Sequence, residues 1–193
     1  MKLIPILLSA ALLSGCIVIH TDDDDLDVVG SQNITQTTFD GVELRGGGEV
    51  LLQHGQSFSI NAEAEQQGWI VGLDGNSLVL ECDNQCNSNG AAAVVTLPSV
   101  DNIALTGGGD LIVSGDFPNA HELNIALVGG GEIDALSVPA EEVNISIVGG
   151  GDIDVAAASE LNVSIIGGGA IGYRGTPEIN RSVVGGGEIR RIG

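Results

Sequence analysis

The sequence predicts an all-β fold, a solenoid of stacked parallel strands with coils of about 18–22 residues. Composition, a recurring glycine triplet and the residue columns aligned around it support that expectation. Of 193 residues, 30 are glycine, and the chain is 43% hydrophobic but only 3% aromatic. The apolar content is therefore Val, Ile, Leu and Ala, which suits strands and thin cores, and the glycines suit tight turns. The formal net charge is −20. A chain this apolar does not meet the low-hydrophobicity condition for intrinsic disorder. Its charge repels nucleic acid and anionic headgroups, so no nucleic-acid partner is expected.

The triplets start at Gly46, Gly107, Gly129, Gly149, Gly167 and Gly185, with later gaps of 22, 20, 18 and 18 residues. The first gap, 61 residues, is about three periods. Five residues before each later triplet stands an asparagine: Asn102, Asn124, Asn144, Asn162 and Asn180. An acid follows five of the six triplets, at Glu49, Asp110, Glu132, Asp152 and Glu188, with Ala170 as the exception. Ile103, Ile125, Ile145 and Val163 form one aliphatic column, and Leu105, Leu127, Ile147, Ile165 and Val183 another. They alternate with a smaller column: Ala104, Ala126, Ser146, Ser164 and Ser182. Alternation by two sends both aliphatic columns to one face of a strand. The triplet then bends the chain, a second short strand follows, and a looser stretch with Pro98, Pro118, Pro139 or Pro177 leads onward. One such coil cannot bury its own apolar face, but a stack can. Stacked asparagines are expected to pass amide hydrogen bonds between coils. Arg181 takes an aliphatic position in the last repeat, where charge blocks edge pairing. A leucine-rich repeat is the rival, but there is no regular leucine framework or helical stretch.

Residues 1–15 read as a lipoprotein signal peptide: Met1-Lys2, an apolar run from Leu3 to Leu13, then Ser14-Gly15 before Cys16. The run is too short to span a bilayer. Leu13-Ser14-Gly15-Cys16 resembles the bacterial lipobox, which implies acylation of Cys16, and Ile17 in place of aspartate points to the outer membrane. Removing the leader removes Lys2, the only lysine, leaving five arginines against 26 acids. Residues 16–35 read as an acidic tether around Asp22-Asp23-Asp24-Asp25, whose mutual repulsion favours a solvated linker over a metal site. The β-helix domain is expected over 36–193. Cys82 and Cys86 are expected to form a disulfide in an exported chain. A redox pair or half a metal site are the alternatives.

The run Phe39-Asp40-Gly41-Val42-Glu43-Leu44, then Gly46-Gly47-Gly48-Glu49-Val50-Leu51, resembles the opening of the auto-transporter adhesin head, or GIN, domain family. Asn76-Ser77-Leu78-Val79-Leu80, Val94-Val95-Thr96-Leu97-Pro98 and Ile103-Ala104-Leu105-Thr106-Gly107 continue the resemblance in order. It covers about residues 36 to 190. It implies a secreted, often lipid-anchored bacterial domain with a right-handed parallel β-helix, and no catalytic residues. The family often has Gly-Ser-Gly where this chain has full triplets.

An enzyme is not expected. Some β-helix proteins are polysaccharide lyases, which need a Lys or Arg base beside calcium-holding carboxylates. Here no lysine remains after the leader, and apart from Arg45 every arginine lies in the last twenty residues. His20, His54 and His121 are scattered without metal or nucleophile spacing. The acids Asp110, Glu132 and Asp152, with Asp134 and Asp154 nearby, form a ladder whose ordinary role is a solvated edge. Calcium would relieve their repulsion, although the Gly-Gly-x-Gly-x-Asp order of calcium repeats is absent. The expected function is a non-catalytic, lipid-anchored, adhesin-like protein of the cell envelope with an unassigned protein or glycan ligand, no cofactor and no metal. The alternative is a calcium-dependent carbohydrate-binding or carbohydrate-cleaving β-helix.

Overall fold

The computed structural model of the chain describes residues 27–28, 38–61, 68–82 and 92–193. Among these residues every regular element is a strand. In chain order the strands are β1 (Asp27–Val28), β2 (Gly41–Gly46), β3 (Glu49–His54), β4 (Ser59–Ile60) and β5 (Trp69–Asp74). Next come β6 (Ser77–Cys82), β7 (Ala93–Leu97), β8 (Asn102–Gly107), β9 (Asp110–Ser114) and β10 (Ala120–Gly129). The last five are β11 (Glu132–Gly149), β12 (Asp152–Gly167), β13 (Ala170–Arg174), β14 (Glu178–Gly185) and β15 (Glu188–Arg191).

The expected parallel stack forms. One ladder runs β6–β2–β8–β10–β11–β12–β14 and the other β7–β3–β9–β11–β12–β13–β15, all parallel. Strands β11 and β12 are long enough to serve both ladders. The register pairs Asn102, Asn124, Asn144, Asn162 and Asn180 in succession, so each coil advances by one sequence repeat. Pro139 does not sit in a loose stretch. It lies inside β11, where the register shifts between Ala135 and Pro139 and again between Ala140 and Glu142. These irregularities turn the strand while pairing continues.

The 61-residue gap is not three coils inserted between the first two triplets. Gly46 pairs directly with Gly107. The intervening chain crosses to the outer side of β2 and β3 and builds the β6 and β7 level there. A first coil would otherwise leave one apolar side in water, and this fold-back covers it. Both ladders then finish with antiparallel strands, β5 and β1 beyond β6 and β4 beyond β7. Asp27 and Val28, inside the expected tether, thus pair with Leu73 and Gly72. The rest of residues 16–35 lies outside the described residues, as do residues 1–15 and Cys86.

The core is the space between the ladders. Ile103, Leu105, Leu127, Ile147 and Ile165 face it with 0% exposure, opposed by Leu111, Ile133 and Ile171. Full burial of such a side chain contributes about 1.5–3 kcal/mol, repeated level after level. Three of the five aromatic residues, Phe39, Phe58 and Trp69, lie at the N-terminal levels. The rings of Phe39 and Phe58 lie 4.6 Å apart, and Trp69 is buried in the core.

The glycine triplet forms the corner between ladders, and its three positions differ. The first, as at Gly129 and Gly149, has φ of 132° and 134°. A Cβ on Gly149 would fall 2.1 Å from the Gly129 carbonyl oxygen of the level before. The third is equally closed, since a Cβ on Gly151 would fall 2.3 Å from the Gly131 oxygen. The middle one, Gly150, meets nothing within 4 Å. Crowding arises because the backbone itself bonds across the corner: Gly150 N donates to Gly129 O at 2.9 Å, and Asp152 N to Gly131 O at 3.1 Å. The open middle position explains why a Gly-Ser-Gly corner is compatible with the same fold.

Candidate functional site

Three surface arrangements follow from this register. The first is the amide ladder. Asn124, Asn144, Asn162 and Asn180 each donate from Nδ2 to the Asn Oδ1 of the level before, at 3.4, 3.2, 2.9 and 3.0 Å. A parallel ladder of Glu122, Glu142, Glu160 and Glu178 stands two residues upstream. Asn144, Asn162 and Asn180 donate their second amide proton to Oε1 of Glu122, Glu142 and Glu160 at 3.0, 3.2 and 3.0 Å. Each amide thus satisfies a neighbouring amide and a carboxylate at once, and such charge-assisted bonds offset the repulsion between stacked acids. Sequence reading found the asparagines and missed the glutamates. The signal was present as Glu-x-Asn at Glu122-Leu123-Asn124 and its three successors.

The amide ladder ends on carboxylates at its N-terminal side. Asp40 accepts from Asn76 Nδ2 at 2.6 Å and from Asn102 Nδ2 at 3.5 Å. Asp101 lies beside it, its pKa raised by partial desolvation and by the charges of Asp40 and Glu122. Nearby, Arg45 is forked onto Glu43 at 2.8 and 3.1 Å and reaches Asp74 at 3.3 Å. The Glu43 bond, opposed by burial, makes the guanidinium hold its proton more tightly than usual. This pair braces β2 against the β5–β6 turn, a role that Arg45 did not reveal in sequence.

The second arrangement is the acid ladder on the other broad face. Glu49, Asp110, Glu132 and Asp152 pair in register as expected, followed by Ala170 and Glu188. Where Ala170 and Gly172 replace longer side chains, a shallow polar depression of about 260 Å³ opens between Glu132, Asp152, Asp154, Glu188 and Arg190. Among the described residues, no three His, Cys, Asp or Glu side chains are placed to hold a metal ion. The calcium-dependent alternative therefore gains no support from the ladder.

The third arrangement is the C-terminal end of the stack. Arg181 occupies the inward column opposite Val163 but is exposed. Arg190 and Arg191 lie on the adjoining β15. The histidines stay apart: His54 packs its ring 5.2 Å from Phe117, and His121 Nδ1 lies 2.8 Å from Glu141 Oε2 on the surface. His20 and the lipobox with Cys16 lie outside the described residues. Cys82 closes β6, half-buried against the core.

Residues 38–119 and 117–177 each match the family described as "Putative auto-transporter adhesin, head GIN domain". The chain belongs to this family. The first GIN match takes in the folded-back N-terminal levels together with β8 and β9, and the second takes in the regular repeat through β13. The family's description names an adhesin and no reaction. Among solved structures, this GIN chain is similar to one described as "a putative adhesin" from Bacteroides fragilis, at 19% identity and TM-score 0.49, covering 81% of this chain and 93% of that one. Another is described as a "putative lipid binding protein" from Parabacteroides distasonis, at 16% identity and TM-score 0.36, covering 81% and 94%. A third, "a putative adhesin" from Parabacteroides merdae, has 15% identity and TM-score 0.31, covering 83% and 94%. No curated protein matches the chain.

Proposed function

We propose that this GIN chain is a non-catalytic binding protein of the bacterial cell envelope, held by a lipid on Cys16 and presenting its solenoid as an adhesin-like surface. The family match over residues 38–177 carries the reading. The chemistry of the surface agrees with it. The polar ladders are spent on one another, amide to amide and amide to carboxylate. The ligand is a protein or glycan of the envelope or of a surface it meets. The outer membrane is the proposed site of anchoring. Cys82 is paired with Cys86 in this proposal, which fits the finding that Cys82 is not a free thiol.

Two measurements test the proposal. Cys16→Ala is expected to move the chain from the membrane fraction to the soluble fraction and to abolish acyl labelling. Unchanged membrane partition would remove the lipid anchor. Cells displaying the chain are expected to retain envelope glycans or proteins that cells displaying none do not. Equal retention would remove the adhesin reading.

A further inference from the structure

The stack closes its two ends differently. At the N-terminal end the outermost strands are the two-residue β1 and β4, which leave little edge to pair. At the C-terminal end β14 pairs with β12 and β15 with β13, and no other described strand pairs with either, so an eight-residue and a four-residue strand each present a free edge. The inward columns also lose their cover there. Val183 is 37% exposed where Leu105, Leu127, Ile147 and Ile165 before it are at 0%, and Ile179 and Ile189 are half-buried. Four of the five arginines that follow the leader, Arg174, Arg181, Arg190 and Arg191, gather at this end and are exposed. Arg190 shares the shallow depression with Asp154, yet among the described residues neither Arg190 nor Glu188 is in an ion pair.

We infer that this end docks the same end of a second copy of the chain, by antiparallel pairing of β15 with β15 and of β14 with β14 about one two-fold axis. The charge order along β15 selects that occupant. Glu188, Ile189 and Arg190 alternate outward, inward and outward. Directly opposed residues of an antiparallel pair share a face. A two-fold axis at Ile189 therefore sets Glu188 against the partner's Arg190, and Arg190 against the partner's Glu188, two favourable cross-strand pairs. Val183 and Ile189 stand three residues either side of Gly186, so the same axis crosses β14 at Val183. Arg181 then falls against the partner's Gly185 and Arg191 against the partner's Gly187, and no arginine meets an arginine. The arginines thus guard the edge against other strands while this one register satisfies it. Val183 and Ile189 cover their twins, and the contact is isologous. Its footprint, about 17 Å along each strand and ~10 Å between ladders, is small, so the contact is weak and gains from many copies on one surface. The inference rests on the binding reading above and names its partner. β1 follows Cys16 in the chain and closes the opposite end of the stack, so copies on facing envelopes can join at the ends remote from the proposed anchor.

Opposed residues at the axis have Cβ atoms ~4.5–5.5 Å apart, close to disulfide reach. The purified full chain carrying Ile189→Cys, oxidised with copper phenanthroline, is expected to yield a reducible product of twice the chain mass. Val183→Cys is a second trap on β14, and Val148→Cys, on a broad face, is expected to yield none. Adding Glu188→Arg or Arg190→Glu alone to Ile189→Cys should cut the dimer on the order of tenfold, because two attractive pairs become repulsive. Mixing those two variants, one of them tagged, should restore a mixed dimer, since each supplies the charge the other lacks. Protease resistance reports folding in every variant. Introduced thiols at 189 and 183 that label freely without forming dimer overturn the inference. So does equal dimer from each charge variant alone, or, in intact cells, a disulfide product of another mass, which marks a different protein on the edge. The trap is read on purified chain, so its failure leaves the anchoring and retention tests standing, and their failure leaves the trap standing.

Discussion

The two halves of the solenoid solve the same packing problem differently. From β8 onward each level repeats the last: aliphatic columns inside, asparagines and glutamates in register outside, glycine corners bonded one to the next. Before β8 only β2 and β3 keep this pattern, with the first glycine corner and Glu49 in register. The chain doubles back, strands turn antiparallel, and the core uses Phe39, Phe58 and Trp69 once each. A repeating level is supported by its neighbours and stabilises them in turn, so damage there is local. The N-terminal level is the cap on which the stack is built, and damage there has nowhere to stop.

Trp69→Ala should show the difference at its largest. The indole is 2% exposed and lies against the first glycine corner, where a Cβ on Gly48 would fall 2.7 Å from its Cη2. The expected loss is about 3–5 kcal/mol, with hydrogen-exchange protection falling along the whole stack. Leu161→Ala, at a site of 0% exposure in the repeat, is expected to open the last levels and spare the first. The same exchange pattern from both variants would erase the distinction between cap and repeat.

Within the repeat, the corner separates backbone demands from side-chain space. Gly149→Ala must place a methyl 2.1 Å from a carbonyl at a φ of 134°, and about 3 kcal/mol or more should be lost in urea denaturation. Gly150→Ser, one residue on, should stay within about 0.5 kcal/mol. Equal losses would mean the corner is not held by the inter-coil bonds. Asn144→Ala comes next. It removes donors to Asn124 and Glu122 and an acceptor for Asn162, and about 1–3 kcal/mol is expected.

These contrasts also mark what could be read from the sequence. The repeat half was legible because stacking copies one environment five times, so each physical demand became a column: Asn for the amide ladder, glycine for the corner, Ile and Leu for the core. The Glu-x-Asn column was equally regular, yet a surface acid has many ordinary roles, and only the geometry shows Glu142 accepting from Asn162. The N-terminal half was opaque for the opposite reason. Register there depends on long-range pairing such as Gly46 with Gly107, and a 61-residue spacing that fits three periods carries no sign that the chain has crossed to the other side of its first coil. Likewise the Arg45–Glu43–Asp74 brace joins residues 29 apart in sequence, with no spacing rule to announce it.

The smallest expected effect lies at the seam between the halves, where the amide ladder gives way to acids. Asp101 is exposed beside Asp40 and Glu122, and its pKa is raised in the folded chain, first by partial desolvation and then by those two charges. A group whose folded pKa exceeds its unfolded value of ~3.9 favours folding while protonated and loses that contribution as pH rises through the folded pKa. At neutral pH the ionised Asp101 is therefore a small liability. Asp101→Asn keeps the shape and removes the charge, so its melting temperature should exceed that of the parent chain by about one or two degrees at pH 7. The gap should close as pH falls below ~3.9, where the parent carboxyl becomes protonated in both states. A melting advantage that persists unchanged at about pH 3 would show that the substitution acts through packing or hydrogen bonding and not through the charge at the seam.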